Sequence, residues 1–293
     1  MYKKAYHILK NNSMFIQPLL VWQIAFTMVM VFCMNRNQML LPRITLWISI
    51  ALLFTACLAG WLYINKYALL SYNEKDTPEE ISEKAVQNFK KFFEGVGTDF
   101  VRTLLACIVI SALYFGVIYG LYKFCLNNFG IPSFINDIMQ ISQSGTKEQI
   151  MQFINNLGEN DKLTFARWVM TINLGLSVLN FFALLYFAVM SLERKNFIVS
   201  FFTSLKFFII NIFEAIGIMI FVFFLYLLIN ILSVFLGVNS FLFAVLVIIV
   251  TWYFNYYVLL VFCFYYDKTK INSDNGSEFI GEDKSCGETG EKT

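Results

Sequence analysis

Histidine and charge are what this sequence has least of. Its 293 residues include a single histidine, His7, and 14% are charged, where an ordinary soluble domain carries about 25%. One imidazole excludes by count a zinc site built from several histidines, a Ser-His pair inside a membrane and a twin-histidine phosphodiesterase centre. The Walker A, GxSxG and HExxH patterns are missing as well. Six cysteines occur with no CxxC and no paired spacing. The net charge of +2 gives no reason to expect nucleic acid as a partner. No cofactor, metal ligand or catalytic residue is therefore expected, and the chain does not read as an enzyme.

Polar cover is also too thin for a water-soluble fold. The chain is 58% hydrophobic with a mean hydropathy of +0.63, so its solvent must be lipid. A helix needs roughly 20 apolar residues to cross a bilayer core of about 30 Å. Six stretches meet that requirement, near 13–34, 44–65, 102–122, 167–191, 214–236 and 240–264. The expected fold is all-α, a polytopic membrane helix bundle of six transmembrane helices arranged as three hairpins. Residues 215–266 carry no charge and are expected to hold two spans around the turn Gly237-Val238-Asn239-Ser240. The first stretch is too long for a cleavable signal peptide, and no small-x-small site follows it. With both ends in the cytoplasm, 16 lysines and arginines fall inside and 6 outside, as the positive-inside rule favours. A cell inner membrane is the expected location. The lipid bilayer is the first expected partner and other membrane proteins the second, while a homo-oligomer finds no support.

An internal repeat precedes spans 1, 3 and 5, where the chain reads AYHILKNN from Ala5, AVQNFKKF from Ala85 and FFTSLKFF from Phe201. Each segment sets a lysine after an apolar residue and then enters a span. The unit is an interfacial helix plus a transmembrane hairpin, used three times. In the middle unit Thr77 is the expected N-cap, with Pro78 at the first helical position and Glu80 three residues after the cap. Ile81, Ala85, Phe89 and Phe92 then share one face, so this helix is expected to lie in the membrane interface. Eight residues beyond the three repeat lysines stand Pro18, Thr98 and Glu214, with Asp99 one further. Asp99 and Glu214 are thus expected at the membrane boundary, against the default that an intramembrane acid is functional.

Polar residues inside spans 4 to 6 form the main candidate site. Asn173, Ser177 and Asn180 fall on one face of span 4, Tyr226, Asn230 and Ser233 on one face of span 5, and Thr251 and Asn255 on span 6. By helical rise Asn173 matches Asn230 in depth, and Asn180 matches Asn255. Two readings stay open: hydrogen-bonded glue between helices, and a polar pocket or path. In span 3, Ala112, Gly116 and Gly120 stand at four-residue spacing and are expected to pack another helix closely within the chain. Cys33 and Cys125 both fall near the outer face, yet a disulfide between them is not expected. The outer connection, 123–165, holds a capping-box pattern at Thr146 to Gln149 followed by Ile150, Phe153, Ile154 and Leu157 on one face, then Gly158. A second short amphipathic piece is expected from Pro132. The polar tail, 267–293, is expected to be disordered.

Gly95-Val96-Gly97-Thr98-Asp99 and Tyr266-Asp267 resemble the GxGD and YD motifs of intramembrane aspartyl proteases. An extra threonine breaks the first, and both aspartates fall at span ends rather than at the depth a shared-proton dyad needs. With its three hairpins and the A-x-x-x-L-K helix at Ala5 to Lys10, echoed at Ala85 to Lys90, the chain resembles a loose group of bacterial polytopic membrane proteins. That group includes the membrane region attached to some glycerophosphodiester phosphodiesterases, whose catalytic acids and histidines have no counterpart here. The resemblance implies a membrane bundle and no activity. An accessory or scaffold that organises partners or lipid is the first functional expectation. A small permease or lipid carrier using the polar face of spans 4–6 is the second, and a membrane-embedded hydrolase the third.

Overall fold

A computed structural model describes residues 1–34, 40–130, 158–236 and 240–274. The described chain is helical throughout: α1 Tyr2–Asn11, a 3-10 turn Ser13–Ile16, α2 Gln17–Met34, α3 Leu40–Ser71, α4 Pro78–Phe129, α5 Glu159–Glu193, α6 Phe197–Ile210, α7 Ile212–Leu236 and α8 Ser240–Asp274. Five helices, α3, α4, α5, α7 and α8, are long and apolar enough to cross a membrane. The 18 residues of α2 give a rod of about 27 Å, just short of a bilayer core. The protein is a multi-pass membrane bundle, and its surface agrees. Phe213 is 86% exposed and Phe115 77%, which lipid tolerates and water does not.

The core is concentrated at one end. Residues 258–263 of α8 are buried on every side, and Leu185, Tyr186, Ala188 and Val189 of α5 join them. The apolar face of α1, Ala5, Ile8 and Leu9, is fully buried in the same cluster. Lys4 pairs with Asp267 at 2.6 Å, which brings α1 and the end of the α8 span together. This end is called the terminal face. At the opposite, far face, Gly130 caps α4 with φ +74°, a conformation glycine adopts without a Cβ penalty. Its carbonyl accepts from Trp168 Nε1 at 3.0 Å, tying α4 to α5. Tyr122 stacks edge-on against Trp168, and Lys123 lies over Tyr119, an aromatic girdle of the kind that marks a membrane interface.

The repeat unit takes two forms. Units 1 and 3 are a short helix, a break and a span, and each break falls at an asparagine. Asn12 and Asn211 both turn their amide back onto the carbonyl four residues earlier, Ile8 at 2.9 Å and Phe207 at 3.0 Å. In unit 2 there is no break. The Thr77 capping box opens a single helix of 52 residues, about 78 Å long. The expected interfacial helix is therefore corrected: residues 78–101 continue straight into span 3. Its expected lipid-facing residues turn to protein instead, Phe89 and Phe92 packing against the core. Asn88 reaches Ser71 at 3.2 Å and Tyr63 reaches Glu94 at 2.7 Å, so α3 holds this extension in place. Thr77→Ala removes the Oγ1 arm of the capping box, which accepts from the Glu80 N–H at 3.4 Å and donates to Glu80 Oε2 at 3.1 Å, and keeps the backbone N–H of residue 77 on Glu80 Oε2 at 2.8 Å. It should cost about 1 kcal/mol, seen as faster amide exchange confined to the first turn of α4.

At the other end of the sequence, α8 runs to Asp274, so the polar tail begins later than expected. Thr269 Oγ1 donates to the Tyr265 carbonyl at 2.9 Å within that extension. Residues 275–293, the turn residues 237–239 and the loop 131–157 with its two expected amphipathic pieces lie outside the described residues. Gly158 is the N-cap of α5.

Candidate functional site

Away from the dense terminal end, α3, α4, α5, α7 and α8 separate around a cavity of about 1040 Å³. That is the upper end of the range for small-molecule sites, about 300–1,000 Å³. Its walls are mainly Phe, Leu, Ile and Ala side chains, with a stripe of polar groups along α5 and α4. Asn173, Ser177 and Asn180 of α5 all line it, as their shared helical face requires, and so does Tyr226 of α7. Phe115 and Ile118 of α4 and Phe223 and Tyr226 of α7 are lining residues that are also exposed. They are among the places where the cavity opens at the surface of the bundle.

The depth-matched pairs are not formed. Asn180 accepts a hydrogen bond from the Tyr114 hydroxyl of α4, not from Asn255. Ser177 Oγ returns to the Asn173 carbonyl at 2.7 Å, leaving the Asn173 amide as the outermost polar group of the stripe. On α7, Asn230 donates to the Tyr226 carbonyl at 2.9 Å and Ser233 to the Asn230 carbonyl at 2.7 Å. Neither lines the cavity, Asn230 being exposed and Ser233 half-buried. Thr251 of α8 donates to the Val247 carbonyl at 2.7 Å and faces Gln23 of α2 at 3.2 Å. Asn255 follows it one turn on and is 0% exposed, with neither side-chain atom hydrogen-bonded. Of the candidate polar residues, Asn173, Ser177, Asn180 and Tyr226 line the cavity, whereas Asn230, Thr251 and Asn255 do not, Thr251 turning towards Gln23 of α2.

Several lining groups escaped the sequence reading. Tyr114, Tyr253 and Tyr257 face the cavity, hidden among 15 tyrosines and 33 phenylalanines. Trp61 also lines it and stacks on Phe254 with ring centroids 5.7 Å apart. Its indole N–H is buried without an acceptor among the described residues.

The other candidates fall elsewhere. A Cβ at Gly116 or Gly120 would meet nothing within 4 Å, and Ala112 is exposed, so no described residue packs against this small-residue face. Close helix approach occurs instead at Gly60, Gly95 and Gly175, where a Cβ would come within 2.3–2.8 Å of a neighbour. Asp99 is held by Arg102 at 3.3 Å and Asp267 by Lys4 at 2.6 Å. Each carboxylate has its own cation, the opposite of a proton-sharing dyad. Glu214 opens the first turn of α7, favourable for its charge, and pairs with Lys268 at 2.6 Å. Cys125 is a buried free thiol, and the side chain of Cys33 lies outside the description. Among the described residues no three His, Cys, Asp or Glu side chains converge as metal ligands would. No family model, curated protein or solved structure matches the chain.

Proposed function

We propose that the protein is a non-enzymatic lipid-handling membrane protein that takes a lipid or similar amphiphile sideways from the bilayer into the α4–α5 cavity. The observation that carries this reading is the cavity itself: apolar walls, a polar stripe at Asn173, Ser177 and Asn180, and an exposed mouth at Phe115 and Phe223. An amphiphile suits such a wall, because its chains bury apolar surface while a few fixed polar groups set its orientation. We place the protein in a bacterial inner membrane with six spans, α2 being the first. The terminal face is then cytoplasmic, which puts 16 of the 22 lysines and arginines inside.

Native mass spectrometry of the protein released gently from its own membranes tests the reading. A bound lipid should survive on the wild type and be depleted several-fold in Asn180→Leu, which removes the acceptor for Tyr114. The same variant should lose only about 1 kcal/mol of stability, the ordinary value of one such hydrogen bond between membrane helices. A protein that leaves its membranes without lipid in either form rules the reading out.

A second reading, an accessory that organises membrane partners, is favoured by the face of Ala112, Gly116 and Gly120 on α4, which meets no other helix among the described residues. Another transmembrane helix can approach closely there. A stoichiometric protein partner in the same spectra, lost in Gly116→Leu, is the result it requires.

A further inference from the structure

Lys66 is 5% exposed and makes no hydrogen bond or ion pair with any described residue. Its stem is enclosed while its Nζ keeps some accessible surface, and no neighbouring acid is free to pair with it. The charged groups close enough to act on it are Arg194, Asp99 and Arg102. Three cations thus share one acid, and that acid is already bound to Arg102 at 3.3 Å. The next carboxylates are occupied too. Glu94 is held by Lys91 at 2.6 Å and Tyr63 at 2.7 Å, and Glu193 by Lys195 at 2.7 Å and the Tyr265 hydroxyl. Arg194 itself ends α5 at φ 51°, exposed and without a hydrogen bond or ion pair among the described residues. Two positive charges are left over, one of them on an enclosed stem.

Their position relative to the cavity gives this surplus a meaning. On α3 the cavity is lined by Thr55, Leu58 and Leu62, and the next residue of that helical face is Lys66. On α5 it is lined by Asn180, Ala183 and Phe187, and two turns further along the same face stands Arg194. Both cavity-lining faces therefore run into a cation at the terminal face, where headgroups lie. Fixed cations at the end of an apolar chamber are the arrangement an anionic amphiphile requires, and Arg offers a fork matched to phosphate oxygens.

The geometry points to an anionic headgroup site: Lys66, Arg102 and Arg194 bind the phosphate of a phospholipid whose chains enter the cavity between α4 and α5. This rests on the lipid-handling reading above and adds the charge, the orientation and the face. Lys66 supplies the charge on an enclosed stem, Arg194 the exposed clamp at the lip, and Arg102 a cation that Asp99 holds in place.

The test uses the full chain in detergent and measures bound lipid by native mass spectrometry against added dioleoyl-phosphatidylglycerol, uncharged dioleoylglycerol and inorganic phosphate. Wild type should bind phosphatidylglycerol more tightly than dioleoylglycerol. Lys66→Met, which keeps the aliphatic stem, should lower phosphatidylglycerol affinity roughly 10- to 100-fold, the value of a charge-assisted hydrogen bond, and leave dioleoylglycerol unchanged. Lys66→Arg should restore most of the loss, and Lys206→Gln, an exposed cation elsewhere, should change nothing. The thermal midpoint of Lys66→Met should match the wild type, because Lys66 makes no side-chain hydrogen bond or ion pair with a described residue. Equal phosphatidylglycerol binding by wild type and Lys66→Met overturns the headgroup site and leaves the cavity reading standing. Binding of neither lipid overturns both. Lys66-dependent binding of inorganic phosphate without phosphatidylglycerol binding overturns the lipid source and assigns the same cations to a free phosphate.

Discussion

Gly95→Ala should lower the thermal midpoint of the detergent-solubilised protein by roughly 6–10 °C, although alanine is the better helix former. A Cβ at position 95 would stand 2.3 Å from Tyr63 Cβ and 3.2 Å from the Ala59 carbonyl. Neither is the free end of a flexible side chain, so α3 and α4 would have to move apart. That movement disturbs the Tyr63–Glu94 hydrogen bond at 2.7 Å and the Asn88–Ser71 contact at 3.2 Å, which hold the extension of α4. Overpacking of this kind costs about 3 kcal/mol, and each kcal/mol moves the midpoint of a chain of this size by roughly 2–4 °C. The control is two residues away. A Cβ at Gly97 meets nothing within 4 Å, so Gly97→Ala should stabilise by about 0.5–1 kcal/mol through helix propensity alone. Equal effects of the two substitutions would refute the close approach of α3 and α4.

The continuity of α4 explains part of what a sequence reading misses. The apolar runs announce a helical membrane bundle, because a 20-residue stretch without charge has few alternatives, and Thr77-Pro78-Glu79-Glu80 marks the start of α4 to the residue. Nothing between Phe92 and Arg102 breaks a helix, yet the shift from amphipathic to apolar pattern suggests two elements. Gly95 and Gly97 resemble a hinge in sequence. In the fold one of them is a contact point, and α3 on its flank outweighs the cost of about 1 kcal/mol per glycine. The true breaks stand at Asn12 and Asn211, whose amides compete for the carbonyl four residues back.

The candidate site was legible by half for a related reason. Periodicity puts Asn173, Ser177 and Asn180 on one face of α5, and that face does line the cavity. It cannot say which helix the face meets, since neighbours of nearly uniform apolarity give no preferred rotation. Tyr114 won the partnership with Asn180 because α4 and α5 lie side by side, tied at the far face by the Trp168–Gly130 bond at 3.0 Å. Lys66 was countable as one more inside charge, but its burial depends on how α3 packs in the fold. The glycine pattern at Gly116 and Gly120 shows the converse, since no described residue packs against it. Spacing records that a helix could approach, and only packing records whether one does.

Asn255→Leu is expected to stabilise the protein by about 2 kcal/mol, the reverse of what a site residue would do. Asn255 is 0% exposed, and both of its amide atoms lack a partner. Each such group forfeits roughly 1–3 kcal/mol of solvation, and leucine has similar volume without that cost. Its neighbour one turn back gives the contrast. Thr251→Val removes a hydroxyl that donates to the Val247 carbonyl at 2.7 Å and lies 3.2 Å from Gln23 Oε1, so it should cost about 1 kcal/mol. Asn255 does not line the cavity, so Asn255→Leu should bind lipid as the wild type does while Asn180→Leu does not. Denaturation midpoints of the two variants, read beside lipid retention by native mass spectrometry, decide between the two layouts. A polar path through α5, α7 and α8 requires both asparagines and predicts that both variants fail. A cavity between α4 and α5 requires only Asn180, and leaves Asn255 a buried polar group whose removal the fold welcomes.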